Sequence, residues 1–290
     1  MRVIITGATG FIGSAFIEKY KNKYDFYLII NKRSKKKITN KKNIFEYNNN
    51  LNELKKFFIK VKPDIVVHFA SFFKAEHSIN DVNNILSSNI ILGTHLLESM
   101  KHSDCKKFIN AGTIWQNYYS NKYNPVCLYA ASKQAFQDIE RYYFEVENMS
   151  FINLKIHDTY GPNDTRGKIV QYLLNQNNSK KIIKMGNANQ ILNFVYIDDI
   201  LNAFNISIKK IFQSKIPLFK TYSLAGQKAI TLINLAKLIK DKYNKKFIIK
   251  WNSSPKRKRE ILNNNKSIEI LPGWKPKINL KNGLEKIKNA

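Results

Sequence analysis

The sequence predicts an α/β protein: a doubly wound parallel sheet followed by a smaller, mixed C-terminal domain. Three observations carry this. Arg2 to Ser14 reads R-V-I-I-T-G-A-T-G-F-I-G-S, a buried-type strand, glycines at three-residue spacing, then a helix start. Glycine lets the backbone turn sharply and approach a pyrophosphate, and the helix behind offers free N–H groups and a partial positive charge. Apolar runs then alternate with helix-periodic segments as far as Pro162, the signature of a Rossmann-type sheet. Beyond Pro162 that alternation breaks down. We expect residues 1–162 to form the dinucleotide-binding domain, with 190–226 returning to it, and 163–290 to form a smaller substrate-binding domain.

The elements follow in order. Asp25 to Ile30 (D-F-Y-L-I-I) is a second buried strand, and Asn43 to Tyr47 a short third one. Leu51 to Val61 has helical spacing and Pro63 ends it. Asp64 to Ala70 is a near-continuous apolar run, as in a strand covered on both faces. Phe72 to Asn80 reads as a loop. Val82 to Met100 is a long helix, Lys106 to Asn110 a strand, Tyr129 to Val146 a helix and Phe151 to Ile156 a strand. Later come a helix from Lys168 to Asn175, a strand from Phe194 to Ile197, and a helix opening at Asp198-Asp199. A strand from Tyr222 to Ala225 and an amphipathic helix from Leu232 to Tyr243 follow. Pro255, Pro272, Gly273 and Pro276 mark a turn-rich tail.

A chain of 290 residues can bury a large core. A strand beginning at residue 2 leaves no room for a signal peptide, and no apolar run reaches membrane-spanning length, so a cytoplasmic protein is expected. Cys105 and Cys127 make neither a metal spacing nor a disulfide framework, and no metal site is expected. The formal net charge is +28. Nucleic acid is one partner such a charge suits. Yet of 49 basic residues only Arg2, Arg33, Arg141, Arg166, Arg257 and Arg259 are arginine, the residue that base and phosphate readers favour. A Lys- and Asn-biased composition with solvated faces explains the charge without a nucleic-acid partner. Its field would still draw in an anionic nucleotide ligand.

The second strand ends at Asn31-Lys32-Arg33-Ser34. In a dinucleotide-binding unit this point meets the adenosine ribose, where an acid suits NAD and a base suits the 2′-phosphate of NADP. Lys32 and Arg33 stand there with no acid, which favours NADP(H) over NAD(H).

Thr113 closes another strand, and sixteen residues on lies Tyr129-Ala-Ala-Ser-Lys133. Tyr and Lys four apart share a helix face. A neighbouring ammonium favours the phenolate, which suits Tyr129 to acid–base work. Thr113 could hold a substrate oxygen beside it. With 15 Tyr and this many Lys, about two such spacings arise by chance, and Tyr118/Lys122 is the other. Tyr118 sits in a loop composition, so only Tyr129/Lys133 keeps helical geometry.

T-G-A-T-G-F-I-G at Thr6 to Gly13, H-F-A-S at His68 to Ser71, Asn89, Thr113, Y-A-A-S-K, Y-G-P at Tyr160 to Pro162, F-V-Y-I-D-D at Phe194 to Asp199 and G-W-K-P near the C-terminus occur in order along nearly the whole chain. The chain thereby resembles the extended short-chain dehydrogenase/reductases of the NAD-dependent epimerase/dehydratase family, most of which act on nucleotide-sugars. The resemblance implies a triad of Thr113, Tyr129 and Lys133. It implies cofactor contacts from Gly7, Thr9, Gly10, Phe11, Ile12, Gly13, Asn31, Lys32, Arg33, Asn48, Phe69, Ala70, Ser71, Asn89 and His157 besides Tyr129 and Lys133.

Departures from the family pattern narrow the reaction. Nucleotide-sugar 4,6-dehydratases usually carry Asp-Glu after the catalytic Thr, where Ile114-Trp115 stand here. The 3,5-epimerising reductases place a Cys nearby, and none is present. A 4-ketoreductase or a 4-epimerase remains. The epimerases usually hold NAD tightly and have Asp at the position of Asn31, so Asn31, Lys32 and Arg33 favour a reductase with exchangeable NADPH.

F-I-N-A-G-T-I-W-Q-N-Y, Y-N-P-V-C-L-Y-A-A-S-K-Q-A-F and D-T-Y-G-P-N-D resemble the CDP-abequose and CDP-paratose synthases, which reduce the C4 ketone of a CDP-4-keto-3,6-dideoxy sugar for surface polysaccharide. That resemblance implies a substrate site from Lys74, Thr113, Trp115, Gln116, Asn117, Asp158, Arg166, Lys168 and Arg257, although Trp115 is equally a core aromatic by type. Many relatives have Arg-Asp before F-V-Y-I-D-D, with Arg on the nucleotide phosphate. Leu192-Asn193 stand here, so Arg166, Lys168, Arg257 or Arg259 would supply the charge. A homodimer through Val82 to Met100 and Tyr129 to Val146 is expected by analogy. A non-catalytic regulatory or RNA-binding protein on this fold is the remaining alternative, which the intact Thr/Tyr/Lys set disfavours.

Overall fold

The computed structural model describes residues 1–32, 34, 43–117, 122–176, 182–254, 259 and 268–288. Its centre is a seven-stranded sheet. In chain order the strands are β1 (Arg2–Thr6), β2 (Asp25–Ile30), β3 (Ile44–Glu46), β4 (Ile65–His68), β5 (Lys107–Thr113), β6 (Ser150–Ile156) and, much later, β10 (Phe219–Leu224). They lie in the order β10-β6-β5-β4-β1-β2-β3, every neighbouring pair parallel. The chain winds outward from β1 in one direction to β3, then returns to β4 and winds the other way. Ligands bind at such a reversal, outside the carboxyl ends of the strands.

Helices cover both faces, which is why the strands read as near-continuous apolar runs. On β1, Val3 and Ile5 face α1 (Phe11–Tyr20) and α7 (Ile197–Gln213). Ile4 faces the opposite core, with Leu54 and Phe58 of α2 (Leu51–Val61), Leu96, Leu97 and Met100 of α4 (Leu92–Lys101), and Phe136 of α5 (Leu128–Glu147). Phe136 is fully buried, and burying such a ring contributes about 2–3 kcal/mol. Helix ends follow local chemistry. Asn50 caps α2 by accepting from the Glu53 N–H, and Asn148 in the left-handed region closes α5.

The expected helix from Val82 to Met100 is interrupted. α3 (Ile79–Leu86) and α4 are joined by one wide turn of the π type, Ser87–Ile91. It is such turns that bring a polar residue inward, and Asn89 is fully buried there.

Two small sheets lie beyond. β7 (Asp158–Tyr160) runs parallel to β9 (Ile191–Tyr196), and β11 (Ala229–Thr231) pairs antiparallel to β9. β8 (Ile182–Lys184) pairs with β12 (Ile248–Lys250). The remaining helices are α6 (Ile169–Leu174), α8 (Leu232–Tyr243) and α9 (Leu280–Lys288). Among the described residues no helix is long and apolar enough to cross a membrane.

Candidate active site

Two cavities open at the carboxyl ends of the strands and meet at Gly7, Gly10, Phe69 and Ser71. The turn between them is built for close approach. Gly7 has φ +70°, and a Cβ there would lie 2.6 Å from Ala70 N. A Cβ on Gly13 would lie 2.3 Å from Gly7 O, so α1 starts hard against the turn. Gly10 precedes α1 with no side-chain cap, and no acid occupies the first helical turn. The N–H end of α1 is thus left to an anionic ligand.

The larger cavity, about 660 Å³, takes in Gly7, Thr9, Gly10, Asn31, Lys32, Asn48, Phe69, Ala70 and Ser71 of the expected cofactor residues. Ser34 joins them, its N–H donating to Asn31 Oδ1 at 2.9 Å and its hydroxyl accepting from Thr9 at 3.2 Å. Glu46, at the end of β3, also lines this cavity, which local sequence around β2 could not reveal. Arg33 lies outside the described residues.

The smaller cavity, about 430 Å³, gathers Gly7, Gly10, Phe11, Ile12, Gly13, Phe69 and Ser71 from the turn side. Facing them are Thr113, Trp115, Tyr129, His157, Asp158, Arg166 and Lys168. Thr113 is the last residue of β5, and Tyr129 stands in the first turn of α5. The Thr113 hydroxyl accepts from Trp115 N at 3.3 Å. Arg166 is clamped by Asp164 Oδ1 and Oδ2 at 2.7 Å each and by Thr159 Oγ1 at 2.8 Å, and its guanidinium lies 4.3 Å from the Phe11 ring centre.

Phe73 is a lining residue that the sequence does not announce, because it lies in a loop without periodicity. Its ring meets Tyr129 edge-on at 5.0 Å and Trp115 at 5.5 Å, and Lys168 Nζ stands 3.6 Å above it. Thr159 and Ile156 are further unforeseen lining residues, on the strand ends just around His157 and Asp158.

Six expected residues among those described line neither cavity. Asn89 accepts the Phe72 N–H at 2.8 Å and donates to Phe72 O and Ser132 Oγ, so its amide is spent holding the loop after β4 to α5. Gln116 is buried beneath Thr113, and Asn117 accepts from buried Lys155 at 2.6 Å. Lys74 turns toward Asp81, 3.7 Å away. Lys133 is 1% exposed, and its Nζ has no hydrogen-bond partner among the described residues. Arg257 lies outside the described residues, as does Tyr118, while Arg259 donates to Asn124 at 2.5 Å and lines neither cavity.

Burial sets the protonation of the site. It pushes the Tyr129 hydroxyl up to about 12, against a hydrogen bond from Ser71 and the Arg166 charge, which pull it down. Arg166, not Lys133, supplies the lowering charge, burial prevails over it, and Tyr129 keeps its proton through the neutral range. Burial lowers Lys133 to about 8, with Glu140 pulling it back up. Burial takes His157 down to about 4, so its imidazole is neutral.

These residues fit a dinucleotide: an uncapped helix start, a turn with no room for a side chain, and a buried ammonium, Lys133, unpartnered among the described residues and on the helix that carries Tyr129. Residues 3–218 match the NAD dependent epimerase/dehydratase family. The chain is 30% identical over 211 residues to CDP-abequose synthase of Yersinia pseudotuberculosis, covering 70% of this chain and 71% of that protein. It is 30% identical over 244 residues to dTDP-D-glucose 4,6-dehydratase of Dictyostelium discoideum, covering 72% and 56%. Its fold superposes on UDP-glucose 4-epimerase of Thermus thermophilus in complex with NAD, with TM-score 0.82, 19% identity and full coverage of both chains. The chain belongs to the NAD dependent epimerase/dehydratase family.

Proposed function

We propose that this family member is an NADPH-dependent ketoreductase acting at C4 of a nucleotide-linked sugar, a CDP-4-keto-3,6-dideoxy sugar of surface polysaccharide. The observation that carries it is the placing of Thr113 and Tyr129 across one cavity from Gly7 and Gly10, with Lys133, on the helix that carries Tyr129, buried and unpartnered among the described residues. The likeness to CDP-abequose synthase supports the sugar and the nucleotide.

A bound NADPH would supply the hydride that reaches the ketone carbon. Thr113 Oγ holds the ketone oxygen, and Tyr129 Oη gives its proton to the alkoxide as it forms. A phenol held in its protonated form suits donation, the direction that reduction needs. Lys133 Nζ would find its missing acceptors in the nicotinamide ribose hydroxyls, and Lys32 with Ser34 would meet the 2′-phosphate. Dehydration finds no support here. Ile114 and Trp115 follow Thr113 and offer neither acid nor base, and Ile114 is buried.

Glu46 favours a second reading, since a carboxylate in the adenosine cavity suits a ribose 2′-OH and hence NAD. A nucleotide-sugar 4-epimerase with tightly held NAD would use it. Incubation with CDP-4-keto-3,6-dideoxyglucose separates the two. Stoichiometric loss of NADPH absorbance and a reduced CDP-sugar are expected. No NADPH consumption, together with NAD(H) that survives gel filtration, would favour the epimerase.

A further inference from the structure

One ionisable group beneath the site has no part in the reaction as described. Glu140 follows Lys133 by seven residues on α5, so the two side chains leave one face of the helix two turns apart. They are 0% and 1% exposed. That face rests on a polar row that crosses the sheet at one level. Thr6, His68, Asn110, Asn153 and Thr221 stand in register from β1 through β4, β5 and β6 to β10.

The row holds the carboxyl. Asn153 Nδ2 donates to Glu140 Oε2 at 2.7 Å, and Asn110 Nδ2 donates to Asn153 Oδ1 at 3.0 Å. His68 Nε2, Asn110 Oδ1, Glu140 Oε1 and Lys133 Nζ have no hydrogen-bond partner among the described residues. A lone carboxylate or ammonium is costly at such depth, whereas opposite charges with directed amides can offset much of each other's desolvation. We propose that Glu140 is a positioning residue whose carboxylate is the buried counter-charge of Lys133, keeping that ammonium protonated and set toward Tyr129 and the cofactor.

The other groups facing the pair fit this. Burial raises Glu140 to about 8, while the Asn153 amide, the Lys133 charge and the Asn110 amide pull it back down. His68, from β4, is kept neutral by burial and by the Lys133 charge. Asp138 lies on the exposed side of α5 and pushes Glu140 upward only weakly. Lys155 of β6 is lowered by burial, is pulled back up by Asp138, and donates to Asn117 Oδ1.

Two measurements test the pairing. In Lys133→Met the carboxyl loses its partner, so its folded-state pKa rises further above the unfolded value. Stability is then present at low pH and lost as pH rises through the raised value. Because burial already holds Glu140 at about 8 in the parent, the Tm of Lys133→Met should fall more steeply than that of the parent above about pH 8, and Lys133→Met/Glu140→Gln should lose the extra slope. Parallel curves for parent and Lys133→Met would overturn the pairing.

NADPH titration followed by fluorescence gives the second readout. Glu140→Gln should bind about tenfold more weakly at alkaline pH and nearly as the parent does at slightly acid pH, with Glu140→Asp regaining part of the loss. Parent-like affinity at both would overturn the positioning role. That role rests on the reductase reading; the melting curves do not, and they remain decisive if Glu140→Gln does not fold.

Discussion

Gln116 turns back on Thr113. Its Oε1 accepts the Thr113 backbone N–H at 3.0 Å, while its Nε2 donates to Gln134 at 2.8 Å and Gln137 at 3.1 Å on α5. One buried amide thus ties the end of β5 to the helix that carries Tyr129 and Lys133. Gln116→Leu leaves a buried N–H unsatisfied, at about 1–3 kcal/mol, and frees Thr113 to shift. We expect kcat to fall at least about tenfold with NADPH affinity unchanged, since small misplacements near the chemistry cost more than they do in binding. Steady-state kinetics beside an NADPH titration checks this, and parent-like kcat would show that Thr113 keeps its place without Gln116.

Tyr129→Phe removes the proton donor and leaves the ring against Phe73. A kcat loss of ~10²–10⁴ is expected, with little change in Tm. Retention of most ketone-dependent NADPH oxidation would refute the role given to Tyr129.

Lys32 lines the larger cavity together with Ser34 and Glu46, and the proposed function places the 2′-phosphate there. Lys32→Glu should weaken NADPH by about tenfold or more while leaving NADH nearly unaffected. Comparing the KM values for the two cofactors is sufficient. Equal losses with both would place the 2′-phosphate elsewhere.

His157 carries a pH-dependent part of the stability. Its folded value of about 4 lies below the ordinary imidazole value of 6.5, because burial disfavours the charged ring. The unfolded chain therefore binds more protons across that window. Stability is intact above it and is lost as pH falls from about 6.5 toward 4, by on the order of 3 kcal/mol. His157→Asn should show a shallower fall of Tm over that range. Melts of both proteins in matched buffers measure it, and identical slopes would assign the acid loss to other groups.

Much of this was legible because short-range chemistry decided it. Asn50 and Thr231 accept from the helices they cap, so α2 and α8 start and stop where periodicity and caps agree. Tyr129 and Thr113 were legible because their motif needs only a strand end and a helix start. The π turn at Ser87–Ile91 was not, since a 3.6-residue period cannot announce a wider turn, and the inward course of Asn89 went with it. β7, β8, β11 and β12 are three residues each, and distant partners define them. Glu140 on a polar helix reads as a surface acid until the sheet beneath is known to carry Asn110 and Asn153. Glu46 lines the larger cavity only because β3 pairs in register with β2.

β10 gives the large sheet its last strand and comes from residues that begin just after the family match ends at residue 218. It covers β6, every residue of which is buried. A shortened chain ending at residue 218 would strip that cover and present the six paired residues Phe151–Ile156 of β6 as an open, unpaired edge. Such an edge recruits other chains, so the fragment should aggregate on expression rather than yield a small working enzyme. Anyone trimming this protein for crystallisation, fusion or display should therefore cut after residue 224 at the earliest.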